Sequence, residues 1–380
     1  AAAVGVVNAQ RMAEASPADV TDALDGVAGV DVQRMSPGGY GSNVSIRGSS
    51  DFKPGGFGNR VLVLLDGRIM NSPDTHGVDW SAMPLFDLSR IEVLRGPASA
   101  LYGSTAVGGV VQLFGRPPRR QADLIFEQAF AGDVANRRRL AGSLSDKGAG
   151  WGWRMSGWYQ GYEGLVPAGE SEIRHNSDSM RYGSRLAGQV DIDDHHRLDA
   201  DMSWMHSSGG NPGFEGTSLE SRSRRFSRLT LGVRLGQHYN DREGLRWNTD
   251  LSWTRYGALV EDPDGANPNA YDTDRLGLRS LATFFLFERV FNTVGAELEY
   301  QFVRGDIYAL GAGTYDLGSA AAFLQSQVDL GWGLELTGGL RVDAYWYSTN
   351  QQYVSASPKA RLAWRPDSKT VVWLAANRGF

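Results

Sequence analysis

Leu245-Arg246-Trp247-Asn248-Thr249-Asp250-Leu251-Ser252-Trp253-Thr254 alternates two kinds of side chain. In an extended chain, successive residues point to opposite faces. Leu245, Trp247, Leu251 and Trp253 therefore make one mostly apolar face, and Arg246, Asn248, Asp250, Ser252 and Thr254 a polar one. The pattern returns from Leu334, with Leu334, Leu336, Leu340, Val342 and Trp346 against Glu335, Thr337, Arg341 and Asp343. It returns again from Ala356, with Ala356, Ala360, Leu362 and Trp364 against Ser357, Lys359, Arg361 and Arg365. From about residue 121 onward, stretches of this kind run well past the globular strand length of about 5–6 residues.

The connections also alternate. Short ones are expected near Asp146–Gly150, Asp193–His196, Gly331–Gly333 and Arg365–Lys369. Long polar ones are expected near Leu165–Ser179, Ser208–Arg224, Ala258–Arg275 and Tyr308–Gly318. Tight turns on one side and long loops on the other characterise transmembrane barrels, as do aromatic girdles where Trp151, Trp153, Trp247, Trp346 and Trp364 fall. A soluble β-sandwich would alternate too, with tryptophan as core filler, but strand length and loop asymmetry favour the membrane. The fold class expected is membrane all-β, an antiparallel transmembrane β-barrel.

Composition removes other classes. With 48 glycines and only 14 prolines, turns and strands are expected rather than helix bundles. The absence of cysteine excludes disulfides, Cys-ligated zinc and thiol catalysis, and fits passage through an oxidising periplasm. A net charge of −5, with Arg137-Arg138-Arg139 the densest basic cluster, gives no support to nucleic-acid binding. The strongest apolar run, Val61–Leu65, is strand-sized, so no membrane helix is expected. Ala1-Ala2-Ala3 has neither the basic start nor the apolar core of a signal peptide.

Residues 1–119 follow a different pattern, that of a compact α/β domain. Ser16-Pro17-Ala18-Asp19 is a helix start, with Ser16 as cap and Asp19 as capping-box acid. Val20, Ala23 and Leu24 follow at helical spacing, and Gly26 can close the helix. Short strands are expected at Val4–Val7, Val30–Gln33, Val44–Ile46, Arg60–Leu65, Ile91–Leu94 and Val110–Phe114. Asp66-Gly67 is a hairpin-turn signal.

Four segments of this half occur in a telling order: Val44-Ser45-Ile46-Arg47-Gly48, Val61 through Gly67, Ile91 through Gly103, and Gly108-Gly109-Val110-Val111. In that order, ahead of a barrel-like half, they resemble the plug domain of TonB-dependent outer-membrane receptors. Gly339–Asp343, Ser357-Pro358-Lys359 and Asn377–Phe380 are similar to barrel segments of the family. The resemblance implies a plug domain at 1–119 inside the lumen and the first part of the barrel at 120–380. It also implies a bacterial outer-membrane location and no enzymatic activity. About thirteen strands are legible, whereas a barrel wide enough to hold a domain has about 22, so further strands are expected after Phe380.

The family mechanism is active uptake of a scarce ligand, a ferric siderophore by preference, with haem or vitamin B12 as alternatives. The TonB–ExbB–ExbD complex supplies the energy by pulling a TonB box ahead of the plug; none is legible before Val4. Outer-membrane lipid and an iron chelate are the other partners, and a monomer is expected. In the family, arginines matching Arg47 and Arg95 face barrel glutamates and hold the plug. Three plug loops should face outward, placing Tyr40, Phe52, Phe57, Asp74, His76 and Trp80 where a ligand would touch. His76 is the haem candidate, because imidazole ligates haem iron. No cofactor is expected, apart from possible calcium at Asp262, Asp264, Asp272 and Asp274, since hard cations favour carboxylate oxygens. Asp193-Asp194-His195-His196 has metal-ligating residue types but lies in a short turn, and a solvated turn is the expected role. A secreted β-rich enzyme acting on glycans, or a surface binding protein that does not transport, is the competing class.

Overall fold

The computed structural model describes residues 3–15, 17, 19–33, 42–49, 60–72, 77–80, 83–131, 135–164, 176–211, 222–238, 244–261, 269–307, 311–349 and 351–378. Two units follow one another along the chain.

The first contains strands β1 (Ala3–Asn8), β2 (Val30–Gln33), β3 (Asn43–Ile46), β4 (Val61–Leu65), β5 (Arg68–Ile69), β6 (Leu88–Arg95) and β7 (Gly109–Gly115). Helices α1 (Ala9–Ala15), α2 (Val20–Leu24) and α3 (Ser99–Tyr102) accompany them. Five strands form one mixed sheet in the order β1-β6-β7-β4-β5, with β4 and β7 parallel. Val61, Val63 and Leu65 face a cluster with Val20, Leu24, Ile91, Val93 and Leu113. Leu62 and Leu64 face a second cluster with Ala98, Ala106 and Val110. The run Val61–Leu65 is apolar at every position because both faces of β4 are covered, each buried Val or Leu contributing roughly 1.5–3 kcal/mol.

Local signals account for the turns. The β4–β5 hairpin turns at Asp66 (φ 49) and Gly67 (φ 86), the pair of positive φ values a tight hairpin of this hand requires. The helix start differs from the sequence expectation. Asp19 is itself the cap of α2, its carboxylate accepting from the backbone N–H groups of Thr21 and Asp22. An acid at the cap also meets the positive end of the helix. Helix α1 was not expected; Asn8 caps it by accepting from Arg11 N–H.

The second unit is a meander: β8 (Gln121–Ala131), β9 (Ala135–Lys147), β10 (Trp151–Tyr162), β11 (Ser179–Asp191), β12 (His196–Asn211), β13 (Arg222–His238), β14 (Arg246–Glu261), β15 (Asn269–Leu286), β16 (Val290–Ile307), β17 (Gly311–Gly331), β18 (Leu334–Tyr347), β19 (Gln352–Trp364) and β20 (Val372–Asn377). These thirteen strands pair antiparallel in sequence order. Alternation sorts the side chains into two faces. Leu251, Leu276, Leu298, Leu324 and Leu340 are 46–57% exposed on the outer face. Arg154, Ser156, Arg185, Arg228, Thr230 and Arg341 are buried on the inner one. Polar side chains inside and leucines outside are the reverse of a soluble sandwich and match a wall facing lipid.

The short turns expected at 146–150, 193–196, 331–333 and 365–369 each mark a junction between consecutive strands, with Asp146, Lys147, His196 and Gly331 taken into the strands themselves. Two expected loops are corrected. Both ends of Ala258–Arg275 are strand, since β14 runs to Glu261 and β15 starts at Asn269. Tyr308–Gly318 is not a long connection: β16 continues to Ile307 and β17 starts at Gly311, with Ile307 opposite Gly311. Glycine and polar composition mark a loop only where the backbone lacks a partner, and here β16 supplies one. With 18, 18 and 21 residues, β15, β16 and β17 exceed the 9–11 that cross a bilayer, so their polar ends project beyond it.

The outer face sets a test. Leu298→Arg puts a charge in the lipid-facing band and is expected to cost about 2–4 kcal/mol, whereas Gln301→Arg on the inner face changes little by comparison. Urea midpoints of the protein folded in vesicles measure both, and equal midpoints would contradict the assignment of faces.

Candidate functional site

The inner face closes on the N-terminal unit through charge. Asp87, 0% exposed, sits just before β6. Its Oδ1 accepts from Arg154 Nε at 2.6 Å and its Oδ2 from Arg185 Nη1 at 3.0 Å. Arg185 Nη2 also reaches Asp66 at the hairpin tip, at 2.6 Å. The other oxygen of Asp66 accepts from Gly115 N–H, and its carbonyl from Arg234. Arg68, next in the hairpin, pairs with Asp201 of β12 at 2.6 Å.

Glycines make these approaches possible. Gly232 lies opposite Asp201 across β12–β13, and Arg68 crosses the wall over it. A Cβ at Gly232 would overlap Arg68 Nε, one at Gly115 would overlap the Arg185 guanidinium, and one at Gly67 would fall 2.8 Å from Arg234. Each guanidinium lies flat where a side chain has been left out.

Above this layer the contacts weaken. Ser207 donates to Asp79, Arg228 donates to the Met70 sulfur at 3.4 Å, and Arg275 donates to the Asn71 carbonyl at 3.2 Å. Beside α3, Arg279 stacks over the Tyr102 ring at 5.4 Å, and Arg341 reaches the Leu101 carbonyl at 3.4 Å. Burial pushes the Tyr102 phenol above its ordinary value, so a neutral ring meets the cation.

Toward the end of the wall with long connections, inward Tyr256, Ala258, Tyr271 and Val303 cluster with Phe226 and Tyr315. Phe226 stacks on Tyr256 at 6.2 Å, Tyr256 lies 6.1 Å from Tyr271, and Arg228 lies over Tyr256 at 5.2 Å. This is an aromatic wall with arginines at its base.

The architecture now has a match. Residues 1–110 fit the TonB-dependent receptor plug domain. The N-terminal unit is the plug of a TonB-dependent receptor. Over 220 residues, 53% of the chain and 31% of the relative, the chain is 31% identical to an iron-regulated outer membrane virulence protein of Vibrio cholerae. It is 22% identical to a vitamin B12 transporter of Vibrio vulnificus over 90% of the chain and 55% of that protein. Among solved structures, a mutant ferric enterobactin receptor of Pseudomonas aeruginosa in complex with enterobactin superposes with a TM-score of 0.79 at 17% identity. That likeness covers 100% of this chain and 62% of that one, and it shows the fold. The chain spans about half the length of the curated relative it matches along most of its own length.

The expected site residues land variously. Tyr40, Phe52, Phe57, Asp74, His76, Asp262 and Asp264 lie outside the described residues. Trp80 is corrected: it is 1% exposed in the plug core, packed in the cluster of Leu24 and Ile91, because so large an apolar ring is worth more there than in a loop. Arg47 and Arg95 both lie against Gly29, with Arg95 donating to the Ala28 carbonyl at 2.5 Å. Asp272 and Asp274 are in β15 rather than a loop. They pair with Arg255 and Arg304, and Trp253 also donates to Asp274, so neither carboxylate is set out as a loop calcium ligand. Among the described residues no group of three or more His, Asp or Glu is placed to hold a metal. Asp193 caps its own turn. Hydrogen bonds from the His195 backbone and the His196 ring hold its carboxyl below the ordinary range.

The plug–barrel pairing of Asp66, Arg68 and Asp87 was missed. A signal was present: Arg154 and Arg185 sit on polar faces flanked by small residues, Gly152 and Ser156, Gly183 and Ala187. Asp87→Ala leaves two buried arginines without their shared carboxylate and is expected to cost about 3–5 kcal/mol. Gly232→Ala is expected to displace Arg68 and act in the same direction. Urea-induced release of the plug, followed by protease access to residues 61–72, measures both, and an unshifted Asp87→Ala midpoint would remove the pair as a lock.

Proposed function

We propose that the protein to which this chain belongs imports a ferric siderophore across the outer membrane, energised by TonB–ExbB–ExbD. The observation that carries the reading is the chamber wall of Phe226, Tyr256, Tyr271 and Tyr315 over Arg228 and Arg275. Aromatic faces stack on flat chelating rings, and guanidinium groups neutralise their anionic oxygens. The plug fills the lumen below, so passage requires it to move. Arg47 and Arg95 are assigned, from the family resemblance, a further lock toward barrel carboxylates. A corrinoid is the second reading, supported by the likeness to a vitamin B12 transporter along 90% of the chain.

Deleting the gene in a strain lacking other iron receptors is expected to abolish growth on ferric enterobactin, ferric aerobactin or ferric citrate as sole iron source, while cyanocobalamin uptake stays normal. Loss of cobalamin uptake alone would replace the iron reading with the second one. Tyr256→Ala combined with Tyr271→Ala is expected to weaken binding of the active chelate about tenfold, at roughly 0.5–1.5 kcal/mol per ring.

A further inference from the structure

The plug is held unevenly. Among the described residues, its ion pairs to the barrel fall on β8, β10, β11 and β12: Arg116–Asp123, Asp87–Arg154, Asp87–Arg185, Asp66–Arg185 and Arg68–Asp201. Among the described residues, no such pair joins it to β14–β19. The arginines on that side are already neutralised by the barrel. Arg275 faces Glu299 at 3.6 Å and Arg279 faces Glu297 at 2.9 Å. Arg341 is held between Glu297 at 2.6 Å and Asp343 at 2.8 Å. Among the described residues, the plug meets this wall through two backbone carbonyls, Asn71 and Leu101, the Tyr102 ring, and α3 lying beside β17–β19.

We propose that the plug hinges on the β10–β13 wall and parts from the β15–β18 wall, so that the ligand passes between α3 and the ladder Arg275, Glu299, Arg279, Glu297, Arg341 and Asp343. Separation there strands none of the ladder arginines, because Arg275, Arg279 and Arg341 each keep a barrel carboxylate. Separation on the β10–β13 wall would leave Asp87 and Arg185 buried and unpaired, with Arg154 keeping only Asp123 at 3.7 Å. A ladder of alternating acid and base also suits the cargo: a polar solute with carboxylate or phenolate oxygens can exchange one hydrogen bond for the next. The choice of cargo rests on the import reading above; the direction of opening does not.

The chain has no cysteine, and any cysteine in the remaining strands is first replaced by serine so that introduced thiols are unique. Asp79→Cys with Ser207→Cys tethers the plug to the β12 wall, and Tyr102→Cys with Arg279→Cys tethers it to the ladder wall, each closed with a short cleavable bis-thiol reagent. The full-length protein in planar bilayers is taken through sub-denaturing urea, and the conductance that follows plug displacement is recorded. The ladder-wall tether is expected to suppress that conductance at least tenfold and a reductant to restore it, while the β12 tether leaves it unchanged. Equal suppression by both tethers, or suppression by the β12 tether alone, overturns the proposal. An independent arm needs no thiols: Arg185→Ala is expected to open at lower urea than Arg279→Ala, and the reverse order overturns it. Absence of chelate uptake in cells, with the conductance asymmetry intact, would instead refute the import reading.

Discussion

A carboxylate with no exposure, Asp87, held between Arg154 and Arg185, is the constraint to which both units answer. Burying a charge is expensive, and attraction offsets the cost only where geometry is good and the remaining hydrogen bonds are made. Arg154 and Arg185 come from adjacent strands, Arg154 opposite Ala187 and Ser156 opposite Arg185. One carboxylate reaches both only in that register. A slip of one residue in either strand would turn its arginine toward lipid. The pair therefore contributes specificity as well as cohesion, since the barrel must be correctly paired before the plug can seat.

The glycines are the complement of this device. Gly232 in the barrel, and Gly67 and Gly115 in the plug, sit where a guanidinium passes, so a cation can lie against backbone and still reach its acid. An alanine at any of them would not break a hydrogen bond directly. It would push the guanidinium away from its acid.

Much of the fold was legible because lipid makes sequence speak plainly. A strand with lipid on one face and a filled lumen on the other must alternate, and the alternation from Leu245, Leu334 and Ala356 located strands and short turns. The unbroken run Val61–Leu65 marked a strand covered on both faces. What failed had a common cause: alternation assigns a residue to a face but not to a partner. Asp66 declared itself as a turn former, and nothing local revealed that Arg185, 119 positions later, would reach it. Asp87 finds its partners 67 and 98 positions away. Arg47 and Arg95 stand in conspicuous motifs, whereas Arg68 and Asp87 do not. Trp80 was placed in a ligand-facing loop from its motif position, and the core took it. The acids of the supposed calcium loop divided because β15 begins before Asp272, which commits Asp272 and Asp274 to strand positions facing Arg255 and Arg304.

The same electrostatics that make the plug stable also decide how it can leave. A plug held by ion pairs all round could move only by exposing several unpaired charges at once, each costing several kcal/mol, more than a marginally stable domain can lose without unfolding. Among the described strands, concentrating those pairs on β8–β12, and balancing β15–β18 within the barrel, separates two requirements that would otherwise conflict. Asp66, Arg68 and Asp87 fix the resting position. Glu297, Glu299 and Asp343 ensure that the facing wall is already satisfied when the plug is gone. The plug's grip on the barrel is then graded, ionic at the β4–β5 hairpin and made of carbonyl and π contacts beside α3. A receptor that must open without coming apart needs this gradient, and the barrel carries it in which arginines have acids of their own.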